Sequence, residues 1–285
     1  MKYVFLFCLF AIELVPACSQ TATEFPDQNK KENKPAFARE GTYFFYWGYN
    51  RSWYANSDIH FISEHCDFTL YDVRAKDRQS NFNLSNYFLM STIPQFNARL
   101  GYFIKDHWAI SLGYDHMKYV MVSGQIVTIK GRIDTIETQK EYAGIYTGEK
   151  IRLSPYFLSY EHTNGLNYFS FDGEYSGNIW SSDIHNRSIA YSTGLSLGIL
   201  CPRSDVDVFN IDGENKFHVA GFGYNLIANI RFQMNKHFFI SWQNRIGTIV
   251  MNDVLIFDNF KARQTFSFYQ AAVLFGFSSR LSGKP

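Results

Sequence analysis

Residues 93–121, IPQFNARLGYFIKDHWAISLGYDHMKYVM, alternate regularly between large apolar side chains and small or polar ones. One face carries Phe96, Ala98, Leu100, Tyr102 and Ile104 and, beyond the polar corner at residues 105–107, Trp108, Ile110, Leu112 and Tyr114. Because successive side chains of a β-strand point to opposite faces of a sheet, this spacing predicts two strands that share one apolar face. The polar corner between them predicts an antiparallel hairpin.

The same alternating unit recurs along the chain. The predicted strands are Thr42–Tyr54, the two arms of residues 93–121, Tyr156–Tyr175, Arg187–Cys201, Phe217–Gln233, His237–Ile249 and Gln264–Leu281. Their connections alternate between long and short, as in transmembrane barrels, where short turns face the periplasm and long loops face outward. The sequence therefore predicts an all-β fold, an eight-stranded antiparallel transmembrane β-barrel with long extracellular loops.

Strand four, Tyr156–Tyr175, contains a potential turn at its centre. Asn164-Gly165 is a favoured sequence for a two-residue hairpin turn. A turn there would give nine strands, whereas single-chain bacterial barrels have an even number. We therefore predict one continuous strand with a bulge or kink at Asn164-Gly165.

The composition fits a barrel and excludes other classes. Aromatic residues make up 18% of the chain and charged residues 19%, against a usual ~25% for charged residues. A net charge of +1 lacks the basic excess of nucleic-acid-binding proteins. After the first twenty residues no apolar run is long enough for a transmembrane helix. We therefore expect outer-membrane lipid, and envelope proteins, as partners, and no nucleic acid.

The N-terminal sequence predicts a secretory signal peptide. Lys2 precedes an apolar run and a small-residue exit around Ala17, which gives the division into residues 1–19 as signal peptide, 20–40 as a flexible periplasmic lead-in and 41–285 as the barrel. Val15-Pro16-Ala17-Cys18 also resembles a lipobox, so a lipid on Cys18 is the alternative. In an oxidising compartment Cys66 and Cys201 could form a disulfide or remain two thiols.

The polar face of the predicted strands supplies a set of lumen residues. An eight-stranded barrel is only wide enough for side chains to fill its interior. The predicted polar network contains Asn97, Arg99, Asp115, Glu161, Arg231 and Arg245, together with Asn225, Asn229 and Gln243. Because both signs of charge occur, we expect these side chains to pair and close the lumen; a narrow ion pore is the alternative.

Strand four also carries the one candidate for catalysis, Glu161-His162-Thr163-Asn164-Gly165. If its large apolar residues face lipid, His162 and Asn164 face lipid as well, and polar groups there are costly and indicate function. The stretch resembles the His-x-Ser-Asn sequence of PagL-type outer-membrane lipid A deacylases, which implies an eight-stranded barrel with a site on its outer wall. Here Asn164 stands at the position of the nucleophile, and Thr163 supplies the hydroxyl. His162, Thr163 and Asn164 are thus the predicted catalytic residues.

Other chemistry is not indicated. The acidic and histidine-containing loop Ala55–Thr92 has no spacing typical of a metal site, so we expect no metal and no cofactor. The Tyr- and Phe-rich strands and the YFxxxEHTxGLNY pattern of strand four resemble uncharacterised outer-membrane barrels of Bacteroidota-type Gram-negative bacteria. The resemblance implies an integral outer-membrane protein and carries no known activity. We therefore expect a non-enzymatic barrel that acts through its extracellular loops or as part of an envelope assembly. A lipid A-modifying hydrolase and a narrow channel are the alternatives.

Overall fold

The computed structural model describes residues 38–78, 93–135, 137–182, 186–257 and 259–280. The predicted signal peptide, Cys18 and the lead-in up to residue 37 lie outside the described residues. The strands are β1 (Thr42–Tyr54), β2 (Ser57–Ile62), β3 (Cys66–Val73), β4 (Ala75–Lys76), β5 (Phe96–Lys105), β6 (Trp108–Met121), β7 (Ile126–Ile133), β8 (Gly144–Arg152), β9 (Leu158–Ser182), β10 (Arg187–Leu200), β11 (Asp205–Val208), β12 (Ile211–Asp212), β13 (Gly221–Gln233), β14 (Phe238–Phe257) and β15 (Phe260–Arg280). A 3-10 helix, Glu137–Tyr142, separates β7 from β8. Among the described residues no helix is long and apolar enough to cross a membrane.

Eight of these strands form a closed antiparallel barrel. Their order is β1-β5-β6-β9-β10-β13-β14-β15, and β15 pairs back onto β1 from Thr42↔Arg280 to Tyr54↔Phe268. Closure leaves no free edge in the barrel wall, which removes the main aggregation hazard of an open sheet. The predicted eight-stranded antiparallel barrel is confirmed.

The potential turn in strand four is a bulge. β9 runs without interruption for 25 residues, and Gly165 has a positive φ of 128°. Pairing with β6 passes from Met117↔Leu166 to Tyr119↔His162, so β9 contains two residues more than its neighbour at this point. The prediction of one continuous strand with an irregularity at Asn164-Gly165 is confirmed.

The two ends of the barrel differ. At one end, here called the turn end, short turns such as residues 106–107 and 234–237 join neighbouring strands. At the other, the loop end, the long connections contain additional strands: β2 pairs with β15 between Ile59↔Gln264 and Ile62↔Lys261, followed by β3, β7 and β8. β14 extends to Phe257 instead of ending near Ile249 because it continues to pair with β15 above the barrel.

The barrel wall is apolar outside and polar inside. A belt of exposed large apolar side chains surrounds it, including Phe45, Trp47, Leu100, Tyr102, Trp108, Leu112, Phe169, Phe171, Tyr191, Leu195, Leu197, Phe222, Leu226, Ile230, Trp242, Ile246, Tyr269, Val273, Phe275 and Phe277. The inward positions of the same strands carry buried amides, hydroxyls, carboxylates and guanidinium groups. This is the reverse of a water-soluble protein, in which the large apolar groups are the buried ones.

The polarity of the two faces reverses toward the loop end. On β15 the outward residues Tyr269 and Phe275 are exposed, whereas the inward residues Phe266 and Phe268 are buried. Above this level the interior is an apolar cluster, here called the loop-end core, which contains Phe61, Phe68, Tyr119, Phe157, Tyr160, Leu166, Phe209, Ile249 and Phe260. Strands β9, β14 and β15 therefore change their apolar face from outside to inside toward the loop end.

Candidate functional site

Two cationic residues of the predicted lumen set lie at the centre of the barrel interior. Arg99 on β5 and Arg245 on β14 are each 1% exposed. A guanidinium always carries its charge in proteins, and a buried charge is costly unless it is paired and hydrogen-bonded. The carboxylates that surround these two groups therefore decide whether the interior is stable.

Arg99 binds two carboxylates. Its Nη1 and Nη2 donate to Oδ1 and Oδ2 of Asp115 at 2.7 and 2.8 Å, and its Nε donates to Oδ2 of Asp172 at 2.6 Å. The two parallel bonds to Asp115 are the bidentate geometry that makes Arg–carboxylate pairs strong and directional. Gly113 is the register partner of Arg99, and its missing side chain leaves the space that the guanidinium fills.

Arg245 joins the same carboxylates from the opposite wall. Its Nη2 donates to Oδ2 of Asp172 at 3.0 Å, and its Nη1 lies 3.5 Å from Oδ2 of Asp115. Its Nε donates to Oε1 of Gln243 at 2.9 Å, and the amide of Gln243 donates to the hydroxyl of Tyr46. Strands β5, β6, β9 and β14 are thus linked across the lumen by one hydrogen-bonded network.

A third cation lies nearer the turn end. Arg231 places its guanidinium over the ring of Phe239 at 3.7 Å and over the ring of Phe44 at 5.4 Å. The carboxylate of Glu174, also buried here, accepts a hydrogen bond from Ser192 at 2.7 Å. The cavity beside Glu174 and Arg231 has a volume of about 10 Å³, enough for roughly one water molecule.

The charges of the described barrel interior balance. Arg99, Arg231 and Arg245 oppose Asp115, Asp172 and Glu174, and all six are buried. Toward the loop end an amide chain continues the packing: Asn50 donates to Asn97 at 2.6 Å, and Asn97 donates to Gln270 at 2.8 Å. Side chains thus fill the lumen, as expected for eight strands.

The structure places His162 differently from the sequence prediction. His162 is fully buried in the loop-end core, between the rings of Tyr119 and Tyr160. Its Nδ1 lies 2.9 Å from Oγ of Ser204. His162 pairs with Tyr119, seven residues beyond the belt residue Leu112 on β6, so it lies above the belt. Burial lowers the pKa of its imidazole to about 3.

The expected outward orientation of His162 was wrong because the apolar face of strand four was assigned to lipid. Tyr160 and Leu166, which share the face of His162, are inward residues of the loop-end core. Thr163 donates to Oε1 of Glu161 at 2.7 Å. The side chain of Asn164 is exposed on the outer surface. The three predicted catalytic residues therefore do not face one common space.

Glu161 is not part of the interior network. Its Oε1 accepts a hydrogen bond from Nη1 of Arg78 at 3.1 Å, and the Arg78 side chain is 59% exposed. Glu161 belongs to the face opposite His162, and at this level of β9 that face is the outside of the protein. The wrong choice of the lipid face on strand four therefore explains why both His162 and Glu161 were placed incorrectly.

Two charged residues of the barrel interior were missed by the sequence analysis. Asp172 and Glu174 lie on β9 and point inward, whereas Phe169 and Phe171 are exposed on the outer wall. Their inward orientation could have been predicted, because Phe169 and Phe171 alternate with Ser170, Asp172 and Glu174 in the sequence. The sequence analysis assigned Leu158 and Tyr160 to the lipid face of this strand. Strict alternation then placed Asp172 and Glu174 on the same face, so they were not recognised as inward residues.

Cys66 and Cys201 do not form a disulfide. Cys66 is buried at the start of β3 opposite Ile133, and Cys201 follows β10, where its backbone N–H donates to the carbonyl of Asn167. Within the described ranges no group of three or more His, Cys, Asp or Glu side chains could hold a metal ion.

Comparisons with known proteins identify resemblance to solved barrels only. No family model and no curated protein matches the chain. The crystal structure of the outer membrane protein OprG from Pseudomonas aeruginosa has 10% sequence identity and a TM-score of 0.40, covering 86% of this chain and 99% of that one. The structure of the P. putida toluene transporter TodX has 8% identity and a TM-score of 0.14, covering 87% and 93% of the two chains. Likeness of this degree says nothing about activity.

Proposed function

We propose that the protein is an integral outer-membrane β-barrel with a closed lumen, that it is not an enzyme, and that it acts through the loop-end strands on the cell surface or within an envelope assembly. The observation that carries the proposal is the combination of an apolar outer belt with a balanced ionic interior. A barrel in water would expose the belt at a cost of about 25 cal/mol per Å², whereas lipid covers it.

The belt supports the membrane location in detail. Trp108 and Trp180 are exposed at the turn end, and Trp53 and Tyr224 are exposed toward the loop end. Aromatic residues at both borders of an apolar band are typical of transmembrane barrels. Short turns in such barrels face the periplasm, so the loop-end strands face outward. The predicted signal peptide and the resemblance to Bacteroidota-type barrels belong to the same proposal.

The packed interior supports a closed barrel over a channel. Arg99, Arg245 and their two carboxylate partners cross the lumen at hydrogen-bond distance, and opening a path would separate buried charges. The buried position of His162 supports a non-enzymatic barrel over a lipid A hydrolase, because a lipid chain on the outer wall does not reach an imidazole in the loop-end core.

Labelling of engineered cysteines tests location and orientation together. In a variant in which Cys66 and Cys201 are replaced by Ser, Ile145→Cys at the loop end and Lys236→Cys at the turn end are treated with a membrane-impermeant maleimide. We expect labelling of Ile145→Cys on intact cells and of Lys236→Cys only after lysis. Labelling of the turn-end site alone on intact cells, or recovery of the protein in the soluble fraction, would contradict the proposal.

Two further measurements separate the alternatives. Planar bilayers that contain the purified barrel should show no stable conductance steps, and reproducible steps that change on Arg99→Gln substitution would establish the channel instead. Mass spectra of lipid A from cells with and without the protein should agree. A shortened acyl pattern that is lost in His162→Ala would establish the hydrolase.

A further inference from the structure

The outer face of β7 and β8 carries three cations that lie close together. Lys130, Lys150 and Arg152 are exposed, and we call them the basic face. Lys150 pairs in register with Thr128 and donates to its Oγ1 at 2.7 Å, and Arg152 lies two residues further on the same side of β8. The alternate residues Val127 and Ile129 are buried in the loop-end core. The strand pairing therefore fixes the three cations on one surface.

An aromatic ring lies within the basic face. Tyr71 on β3 pairs with Thr128, so Tyr71, Thr128 and Lys150 form a row across three strands. The ammonium of Lys130 lies 5.6 Å from the centre of the Tyr71 ring, within the range of a cation–π contact. This contact restrains one of the long side chains and reduces the conformational entropy that binding would cost.

The basic face is not neutralised by the protein. Among the residues that the structure describes, none of Lys130, Lys150 and Arg152 forms an ion pair with a carboxylate; Arg152 donates to the carbonyl of Gly124 at 3.1 Å. The adjacent Glu149 turns its carboxylate away, to the backbone N–H groups of Thr147 and Gly148. Hydrogen bonds from its own backbone N–H, from that of Gly148 and from Thr147 lower the pKa of Glu149 to about 2. By contrast, the neighbouring Arg132 is paired with Asp134 at 3.1 Å.

The basic face lies well beyond the apolar belt. Lys130 is in register, across Thr69 and His60, with Arg263 on β15. Arg263 is six residues from Tyr269, the belt residue nearest the loop end on that strand, which corresponds to about 20 Å along the strand. The strands of such barrels are tilted by about 35–45°, so this corresponds to about 15 Å along the barrel axis at Arg263.

We propose that the basic face binds an anionic polysaccharide at the cell surface, with its carboxylate, sulfate or phosphate groups on the three cations. This deepens the proposed function, since it rests on the loop end facing outward. Because these cations form no ion pair with a described carboxylate, binding breaks none of the ion pairs that the structure describes. The attraction is electrostatic and spread over several contacts, so added salt weakens it steeply.

Binding to purified full-length protein in detergent tests the basic face itself. The probes are heparin as the polyanion and neutral dextran as its control. We expect heparin to bind at about 50 mM salt and to lose at least about tenfold in affinity at about 500 mM, and dextran not to bind. The triple variant K130Q/K150Q/R152Q should lose at least about tenfold at low salt.

A matched variant separates a local site from net charge. K105Q/R187Q/K236Q removes three exposed cations from the turn end and changes the net charge by the same amount. It should bind heparin within about twofold of the wild type. Equal losses in the two triple variants, or no heparin binding by the wild type, would overturn the proposal.

A competition experiment with lipid vesicles distinguishes a membrane ligand from a polysaccharide. Vesicles containing phosphatidylglycerol should not compete with heparin for the purified barrel; competition that K130Q/K150Q/R152Q abolishes would assign the basic face to lipid headgroups and overturn the proposal. Cysteine labelling at Ile145 tests orientation independently. If heparin binding follows the predicted pattern while Ile145→Cys is not labelled on intact cells, the proposed function fails and the basic face remains a polyanion site.

Discussion

Arg99 and Asp115 are diagonal neighbours on adjacent strands of the barrel and share two parallel hydrogen bonds of 2.7 and 2.8 Å. The pair is not isolated, because Nε of Arg99 also binds Asp172, which in turn accepts a hydrogen bond from Arg245. Each charge of this group of four, Arg99, Arg245, Asp115 and Asp172, is therefore compensated by two partners. Removing one partner of a buried ion pair leaves an uncompensated charge and is more costly than removing a neutral hydrogen bond.

Substitution of the shared carboxylate should destabilise the barrel strongly. Asp172→Asn leaves the guanidinium groups of Arg99 and Arg245 with one carboxylate between them, and we expect a loss of about 3 to 5 kcal/mol in the free energy of unfolding. Ser196→Ala removes only the hydroxyl that donates to Asp172 at 2.6 Å and should cost about 1 to 2 kcal/mol. Urea unfolding in lipid vesicles, followed by tryptophan fluorescence, measures both. Equal costs would show that the ion pairs do not act as a unit.

The space at Gly113 should be required for the Arg99 pair. A Cβ at Gly113 would lie 2.3 Å from Cζ of Arg99 and 2.4 Å from Oγ of Ser170, so Gly113→Ala displaces the guanidinium. We expect a loss of about 2 kcal/mol from overpacking. Gly173→Ala is the matched control, because no described heavy atom lies within 4 Å of its added Cβ, and it should change stability by less than about 0.5 kcal/mol. A greater loss in Gly173→Ala would refute the packing argument.

The eight strands of the barrel wall could be predicted from the sequence because alternation marks a strand wherever its two faces meet different surroundings. The first strand was predicted at Thr42–Tyr54, the bounds found in the structure. The alternation does not tell which surroundings are apolar. On β9 the apolar residue Leu166 faces the loop-end core, and Phe169 and Phe171 face outward, so the meaning of the pattern reverses within one strand.

This reversal explains which site residues could be predicted. Arg99 and Asp115 lie on strands whose apolar residues in the belt are numerous and fix the outward face correctly. On β9 the part above the belt is long enough to dominate the pattern, so His162 was assigned outward and Asp172 was missed. The strands of the loop-end extension were less predictable still, because short strands such as β2 gain most of their stability from long-range pairing with β15.

The belt predicts that arginine substitutions at two exposed apolar positions differ greatly in their effect on stability in vesicles. Leu195, 65% exposed, lies midway along the outward row of β10, whereas Ile145, 79% exposed, lies on β8 beyond the belt. Arginine at the midplane of a bilayer costs about 2 to 4 kcal/mol in transmembrane barrels, and near zero in water. Leu195→Arg should therefore reduce folding into vesicles by this amount, and Ile145→Arg should not, as measured by urea titration. Similar effects of the two substitutions would contradict the membrane location of the belt.

Burial of His162 should make stability depend on pH in a defined direction. The imidazole has a pKa of about 3 in the folded protein and about 6.5 when unfolded, so between these values only the unfolded state binds the proton. The stability contributed by neutral His162 is therefore fully present above about pH 6.5. It is lost as the pH falls toward 3, with a slope of at most about 1.4 kcal/mol per pH unit. His162→Gln should remove this slope from urea unfolding measured between pH 7 and 4. Ser204→Ala removes the hydroxyl beside Nδ1 but leaves the ring buried, so it should lower stability and keep the slope. A wild-type slope in His162→Gln would show that another group is responsible, and an imidazole titrating near pH 6 by NMR would place the ring in contact with water.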